Sequence, residues 1–465
     1  MRTIHITASK EYDVLIGEGL LDKSGELTRK VVKPCKCMLV SDDTVDELYG
    51  DRAQISFTYS GFDVARFAFP AGEASKNLDT LQDLLNAMGE AKLSRSDLVV
   101  ALGGGVPGDL AGFAAAVYNL SLEEAVKSIH TDSFGQVFYT GTSWQKVWTR
   151  DTALSNLYSL AWVFPEISYN CEREKIKTSG GVSVFEQDTG TGGSYPVSTD
   201  KIITMLSVWE TYLADGDTNH LSYFYDVCAN TILQDMNVAY DADAGLFRGE
   251  TCGLDWRDQT YPDWTSETYD SGLSAIAESK TASVNAIYCR VFEIMSKAAK
   301  VLGKGEAAEQ SWARSAQDLK AKISSRLWNE NMGLYSSWEY PEYMGSVKAE
   351  KTDVLGNGFA LWFDIGTESQ MRDICENSPL VNYGADTVYP QKQGKLQNAD
   401  KVYHNRGIWP GWDSTLMVGA SYHDNKALAE EIFNSNVRGA AVSADGEDGD
   451  RAEAAVQASS FRSVC

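Results

Sequence analysis

Tryptophan is the residue type that divides this chain most clearly. All 12 Trp lie after residue 118, and the first is Trp144. Residues 1–118 alternate β-rich and helical runs with Gly between them, whereas residues 119–465 combine helical apolar spacing with many acidic and aromatic side chains. This change predicts an α/β domain over 1–118, a mostly α-helical domain over 119–441 and a disordered polar tail over 442–465.

Charge and composition exclude several classes of protein. The net charge of −24 argues against a nucleic-acid partner, because phosphates require clustered Lys and Arg. No apolar run approaches the ~20 residues of a membrane span. The segment Met1–Ile6 lacks the apolar core of a signal peptide, so we predict a cytoplasmic protein without a membrane partner. An acidic, aromatic surface suits neutral polar ligands such as sugars, although acidity also serves solubility alone.

A glycine-rich motif ends the first part. The apolar run Asp97–Leu102 reads as a buried parallel strand, and Gly103–Gly108 follows it as a G-x-G-x-x-G motif before a small-residue helix from Asp109. Such glycines let the backbone approach a pyrophosphate at a helix N-terminus. The alternative is a glycine turn that packs a helix tightly on a sheet.

The segments Phe69–Asn77 and Ala101–Tyr118 resemble the 3-dehydroquinate synthase family of aromatic amino acid (shikimate) biosynthesis. The resemblance extends over residues 1–118 and implies a partial Rossmann-like fold that binds NAD. By matching position it implies the cofactor contacts Asp42, Glu73, Lys76, Gly105 and Asp109.

The chain also departs from that family. Pro107 stands where the family usually has Val, which removes one backbone N–H. The family's Zn ligands are one Glu and two His, and none of the five His here lies in those motifs. We therefore predict no metal site, no dehydroquinate synthase activity, and weak or absent NAD binding.

The second part predicts an array of antiparallel helices joined by loops that mix aromatic rings with carboxylates, Arg or amides. Sugar rings offer C–H faces to aromatic rings and hydroxyls to fixed polar groups, so four converging loops would form a sugar subsite. Each Trp considered singly is more typical of a core. The loops are 148–151, 187–200, 254–262 and 403–412.

Three of these strings resemble known glycosidases. Trp148–Asp151 resembles a glucoamylase motif, whereas Asp255–Asp258 with Ser283–Ala286, and Tyr403–Pro410, resemble debranching α-glucosidases. The stretch 119–440 is similar to six-hairpin, (α/α)6-barrel glycoside hydrolases. That resemblance implies a carbohydrate substrate and no cofactor for hydrolysis.

The implied mechanism inverts the anomeric centre with two carboxylates, a general acid and a general base that activates water. The candidate acid is Asp258, with Asp255 in reserve, and Arg150 and Asp151 would bind hydroxyls of the terminal sugar. The remaining substrate-binding candidates would stack on the sugar or shape the pocket: Trp148, Trp256, Tyr261, His404 and Trp409.

The general base is not evident from the sequence. Such enzymes place it late in the chain, where Asp413 and Glu447 are available but neither is preferred. We expect the closing hairpin of the barrel to be missing, and exposed apolar faces then favour self-association. Four hypotheses stay open: a glycoside hydrolase, either active or inactivated by truncation; a non-catalytic sugar-binding protein; an NAD-binding synthase fragment; and an accidental fusion of two broken genes.

Overall fold

The computed structural model describes residues 2–7, 11–94, 96–141, 145–186, 199–253, 277–390 and 407–444. The chain divides into two compact units, residues 1–124 and 125–464. The predicted domain limits at residues 118 and 441 stay predictions.

Unit 1 is built on a three-stranded parallel sheet of order β4-β3-β5 and a separate antiparallel hairpin of β1 and β2. Its strands are β1 Arg2–Thr7, β2 Glu11–Ile16, β3 Lys36–Asp42, β4 Asp63–Phe69 and β5 Leu98–Ala101. Its helices are α1 Ser24–Arg29, α2 Asp51–Tyr59, α3 Leu78–Glu90 and α4 Gly105–Lys127, with helical turns at Asp43–Val45 and Asp46–Gly50 before α2.

Both faces of this sheet are covered, which explains why the middle of β3, Cys37–Val40, is entirely apolar. Cys37 and Leu39 pack on one face with Phe57 of α2, whereas Met38 and Val40 pack on the other face with α3 and α4. Alternate residues of a strand point to opposite faces, so a doubly covered strand needs an unbroken apolar run. The predicted α/β character of this part is confirmed.

Unit 2 is mostly helical, as the apolar spacing predicts. Its helices are α5 Thr149–Ser155, α6 Pro165–Glu174, α7 Thr204–Asp215, α8 Thr218–Val238, α9 Ala282–Val301, α10 Glu306–Arg326, α11 Val354–Trp362, α12 Glu368–Asn377, α13 Pro410–Tyr422 and α14 Lys426–Ala444. The helical run of α5 continues through Asn156–Leu160 and Ala161–Val163.

Short antiparallel hairpins separate these helices, and the sequence analysis did not predict them. In the part of the chain that the structure describes there are five such hairpins. The first two pair β6 Ile129–Asp132 with β7 Gly135–Phe138 and β8 Ile176–Ser179 with β9 Val182–Phe185. The other three pair β10 Tyr240–Asp241 with β11 Leu246–Phe247, β13 Trp328–Asn329 with β14 Leu334–Tyr335, and β17 Leu380–Val381 with β18 Gly384–Ala385. The other two pairs join β12 Lys280–Thr281 to β15 Trp338–Glu339 and β16 Thr352–Asp353 to β19 Val388–Tyr389.

Helices and hairpins alternate in a fixed order that defines an inner and an outer layer. After each of the five hairpins the chain enters a helix that is buried on nearly all sides, and then a more exposed helix leads to the next hairpin. The inner helices contact one another in sequence, α5 with α7, α7 with α9, α9 with α11 and α11 with α13. The hydroxyl of Tyr158, on the run that continues α5, donates to the carbonyl of Gly411 at 2.8 Å and links the two ends of this series.

Membrane-spanning helices and metal-binding clusters would both bear directly on function. In the ranges that the structure describes, no helix is both long and apolar enough to cross a membrane. The same ranges contain no group of three or more His, Cys, Asp or Glu side chains arranged to hold a metal ion.

Candidate active site

The amino ends of the inner helices α11 and α13 lie close to the same connecting segment. Gly253 has φ 70°, and a Cβ there would lie 2.9 Å from Trp412 Cζ2 and 3.1 Å from Leu355 Cδ1. Trp412 lies in the first turn of α13 and Leu355 in the first turn of α11, so the chain that leads towards α9 touches both helices. Only Gly allows both this conformation and this approach.

Three of the predicted substrate-binding residues open the first inner helix. Trp148 is the N-cap of α5, and Arg150 and Asp151 follow in its first turn. Arg150 is buried with 9% of its surface exposed, and both charged side chains have partners. Thr149 fixes this turn by donating to the carbonyl of Glu186, just after β9, at 2.9 Å. A buried Arg beside an acid is suited to hold polar ligand groups in a fixed orientation.

Two Trp rings mark the start of α13. Trp409 is its N-cap, and its ring stacks on Trp412 at 5.0 Å between centroids and 21° between planes. The sequence analysis singled out Trp409 but not Trp412, although both stand in the same string. Stacked, partly exposed rings provide the flat apolar surface that a sugar face can cover.

Several predicted site residues lie outside the described residues: Asp255, Trp256, Asp258, Tyr261 and His404. Each belongs to a segment that joins a hairpin to the next inner helix, as Trp148 and Trp409 do. The predicted catalytic acids and substrate-binding residues, both those that the structure describes and those outside it, therefore all belong to segments between a hairpin and the next inner helix or to the first turn of that helix.

Asp413 does not suit the role of general base. Its side chain is fully buried, and Oδ2 accepts a hydrogen bond from the Ala385 N–H at 3.1 Å. Burial raises the pKa of this carboxyl well above its usual range, which favours the neutral acid. A general base must be ionised and must reach water. Glu447, the other carboxylate considered, lies outside the described residues.

A second buried carboxyl, which the sequence analysis missed, caps α11. Asp353 accepts from the Gly356 N–H at 2.7 Å, and burial raises its pKa to about 6. Asp353 and Asp386 line a cavity of about 10 Å³, close to the space that one water molecule needs. The signal in the sequence was an Asp followed three residues later by Gly at a helix start.

The predicted cofactor residues of unit 1 lie after the carboxyl ends of its parallel strands. Asp42 ends β3 and caps the following turn by accepting from the Val45 N–H at 2.8 Å. Gly105 begins α4 after β5, and Glu73 follows β4. The Lys76 ammonium lies 2.8 Å from Asp109 Oδ2 and 3.0 Å from Glu73 Oε1, so three of the five predicted residues form one ion cluster.

Comparisons with known proteins assign the two parts of the chain to different families. Residues 66–130 match the 3-dehydroquinate synthase N-terminal family model, and residues 183–376 match the model of the bacterial alpha-L-rhamnosidase six-hairpin glycosidase domain. The two resemblances predicted from the sequence are therefore confirmed, each over its own part of the chain.

Curated relatives named 3-dehydroquinate synthase match the first part of the chain. A 3-dehydroquinate synthase of Streptococcus suis is 45% identical over 107 residues, which are 23% of this chain and 30% of that protein. One from Clostridium acetobutylicum is 38% identical over 119 residues, 25% of this chain and 33% of that protein. The chain thus spans about a third of the length of these relatives.

Solved structures match most of the chain in fold. A GH63 mannosylglycerate hydrolase from Thermus thermophilus, in complex with glucose, aligns with a TM-score of 0.55 and 13% identity over 73% of this chain and 98% of that one. A GH78 rhamnosidase from a Bacillus species aligns with a TM-score of 0.51 and 12% identity over 74% of this chain and 34% of that one. The predicted fold class, an α/β part followed by a helical toroid of the (α/α)6 type, is confirmed.

Proposed function

We propose that the helical unit is a glycoside hydrolase that cleaves a terminal sugar from a carbohydrate. The observation that carries this proposal is the six-hairpin glycosidase match over residues 183–376 on a ring of inner helices. The amino ends of these helices bear Trp148, Arg150 and Trp409, which were chosen from the sequence as sugar contacts.

The described side chains suit the recognition of a neutral sugar. Arg150 offers up to five N–H donors and Asp151 offers acceptors, so together they would orient hydroxyls on one edge of a ring. The Trp409–Trp412 stack would cover an apolar sugar face at the opposite end of the series of helices. Buried partners of this kind bind a sugar without a cofactor.

The chemical step would use two carboxyl groups and a water molecule. In our proposal Asp258 protonates the glycosidic oxygen as the C–O bond breaks, with Asp255 as the reserve candidate. A second carboxylate takes a proton from water while that water attacks the anomeric carbon from the opposite face. Asp413 is excluded as this base by its burial, so the base must be sought among other carboxylates.

Reducing-sugar release from α- and β-linked glucosides, mannosides and rhamnosides tests the proposal. We expect hydrolysis of one linkage and a loss of about 10²-fold or more in Asp258→Asn, since a general acid contributes about 10²–10⁴-fold. Asp263→Asn, five residues further along the same segment, is the matched control and should retain activity. Sugar binding without hydrolysis in the unmutated protein would instead identify a non-catalytic sugar-binding protein.

Unit 1 provides a poor cradle for NAD. Gly104 and Gly105 leave space where a backbone could approach a phosphate at the start of α4. However, the Lys76 ammonium already pairs with the Glu73 and Asp109 carboxylates, so a pyrophosphate would have to compete with them for this cation. We therefore propose that NAD at millimolar concentration leaves the melting temperature of the protein unchanged. A saturable rise that is lost in Gly105→Val would favour the nucleotide-binding alternative.

A further inference from the structure

Inner helices α9 and α11 hold their hairpins through the same asparagine contact. Asn285 stands four residues after Thr281, the N-cap of α9, and Asn357 stands four residues after Asp353, the N-cap of α11. The Asn285 Oδ1 accepts from the Phe247 N–H at 2.8 Å, and its Nδ2 donates to the Phe247 carbonyl at 2.9 Å. Phe247 is the last residue of the second hairpin strand.

Asn357 repeats each of these contacts in the next hairpin and inner helix along the chain, β13–β14 and α11. It accepts from the Tyr335 N–H at 2.9 Å and donates to the Tyr335 carbonyl at 3.2 Å, where Tyr335 ends β14. In both helices the Asn amide also donates to the carbonyl of the N-cap residue, at 2.8 Å for Thr281 and 3.2 Å for Asp353. In each Asn the Oδ1 atom therefore accepts one hydrogen bond, and the Nδ2 group donates to two carbonyls.

The hairpin and inner helix that follow, β17–β18 and α13, have an acid where the other two have the clamp asparagine. Asp413 stands four residues after Trp409, the N-cap of α13, and its Oδ2 accepts from the N–H of Ala385, the last residue of β18. Its Oδ1, which corresponds to the amide nitrogen of the two Asn, is buried without a hydrogen-bond partner. An ionised Oδ1 cannot donate, so Asp413 in its charged form lacks the donor that each Asn supplies.

The surroundings of Asp413 disfavour its ionised form. The side chain is fully buried and Asp386 faces it from beyond the hairpin, so burial and this neighbouring charge both raise its pKa against the lowering effect of the Ala385 N–H. Tyr158 approaches from the first inner helical run, and its hydroxyl donates to Gly411 rather than to Asp413. From the hairpin itself, Gly384 lies so close that a Cβ there would collide with Asp413 Oδ2.

We propose that Asp413 is the carboxylic-acid counterpart of the two clamp asparagines and acts as a pH-sensitive positioning residue. In its neutral form it holds the β17–β18 hairpin on α13 as Asn285 and Asn357 hold theirs. Ionisation removes the donor and places an unpaired charge in the core, which loosens this hairpin. This inference does not depend on hydrolytic activity, because it rests on the contacts of a structural repeat.

Denaturant unfolding of the full chain between pH 4 and pH 8 tests this proposal, with Asp413→Asn as the principal variant. A group whose pKa is raised on folding stabilises the protein at low pH, and that contribution is lost as pH rises. We expect the unfolding equilibrium constant of the unmutated protein to rise with pH more steeply than that of Asp413→Asn, by up to about tenfold per pH unit. Asp413→Asn should also be the more stable protein at pH 8.

The converse change provides the matched control. Asn357→Asp places the same acid in the neighbouring clamp, and it should add a further loss of stability with rising pH. Equal pH slopes for the unmutated protein and Asp413→Asn, or a less stable Asp413→Asn at pH 8, would overturn the proposal. Because that comparison needs only Asp413→Asn, it stands even if Asn357→Asp fails to fold.

Discussion

At the scale of single residues, a buried glutamate lies between α6 and α7. Glu172 Oε1 accepts from the Ser207 hydroxyl at 2.5 Å and from the Thr211 hydroxyl at 2.7 Å, and Ser207 in turn accepts from the Asn156 amide. Its other oxygen is buried without a partner. Burial raises the pKa of Glu172 to about 8 despite these hydroxyl donors, so the carboxyl is largely neutral at pH 7.

This group makes stability fall as pH rises. Because the folded pKa of about 8 exceeds the ordinary glutamate pKa of 4.5, its contribution is complete below about pH 4.5 and is lost as pH rises towards 8. Glu172→Gln keeps an acceptor for both hydroxyls and cannot ionise, so its unfolding free energy should depend less on pH, by up to about 1.4 kcal/mol per unit. Glu166→Gln, on the exposed side of the same helix, is the control. Identical pH profiles for Glu172→Gln and the unmutated protein would contradict this assignment.

Individual residues of the candidate site could be read from the sequence only where a motif names them. Trp148, Arg150 and Asp151 were found in this way, and all three lie at the start of an inner helix. Trp412 and Asp353 were missed because their roles depend on contacts between helices far apart in the chain. Asp413 was considered as a base because a sequence does not reveal burial.

At the scale of elements, α11 and α13 cross through small residues. A Cβ at Gly358 would collide with the Thr415 hydroxyl and lie 2.9 Å from the Leu416 nitrogen. On the other side, a Cβ at Gly419 would lie 2.8 Å from the Trp362 nitrogen. The two helices can approach this closely only while both positions lack a side chain.

Adding one methyl group should separate these helices. We expect Gly358→Ala to lower the free energy of unfolding by about 1–3 kcal/mol, because overpacking outweighs the better helix propensity of Ala. Gly89→Ala in α3, where a Cβ meets nothing within 4 Å, should instead be neutral or stabilising. Thermal unfolding followed by circular dichroism measures both. A stabilised Gly358→Ala would show that the helices are not packed as described.

Elements with long apolar periodicity were predicted well, and short ones were not. The strand predicted over Asp97–Leu102 contains β5, and the helical apolar spacing of the second part includes α9. Among the described residues, five of the seven strand pairs of unit 2 consist of two-residue strands, such as β10 and β11, so no alternation can build up. The small-residue helix predicted from Asp109 begins at Gly105 instead, since Pro107 is tolerated in a first turn.

At the scale of the whole molecule, the two parts of the chain are similar to two different families. Only the fold class of each part could be predicted, because it follows from periodicity and from motifs. The close approach of the amino ends of the inner helices could not be predicted, because these ends come together only when the ring of helices forms. The assignment of hydrolysis to unit 2 therefore rests on the arrangement of that ring and on the family match over residues 183–376.

The measurement that tests hydrolysis most directly is a proton NMR time course of the full chain with the glycoside that it releases sugar from most readily. It follows bond cleavage and the configuration of the first sugar product together. Our account predicts that the product appears first with an inverted anomeric centre, and that Asp258→Asn forms it at least about 10²-fold more slowly. No sugar released by folded protein from any glycoside of the panel would contradict the central claim, and a product of retained configuration would contradict the proposed mechanism.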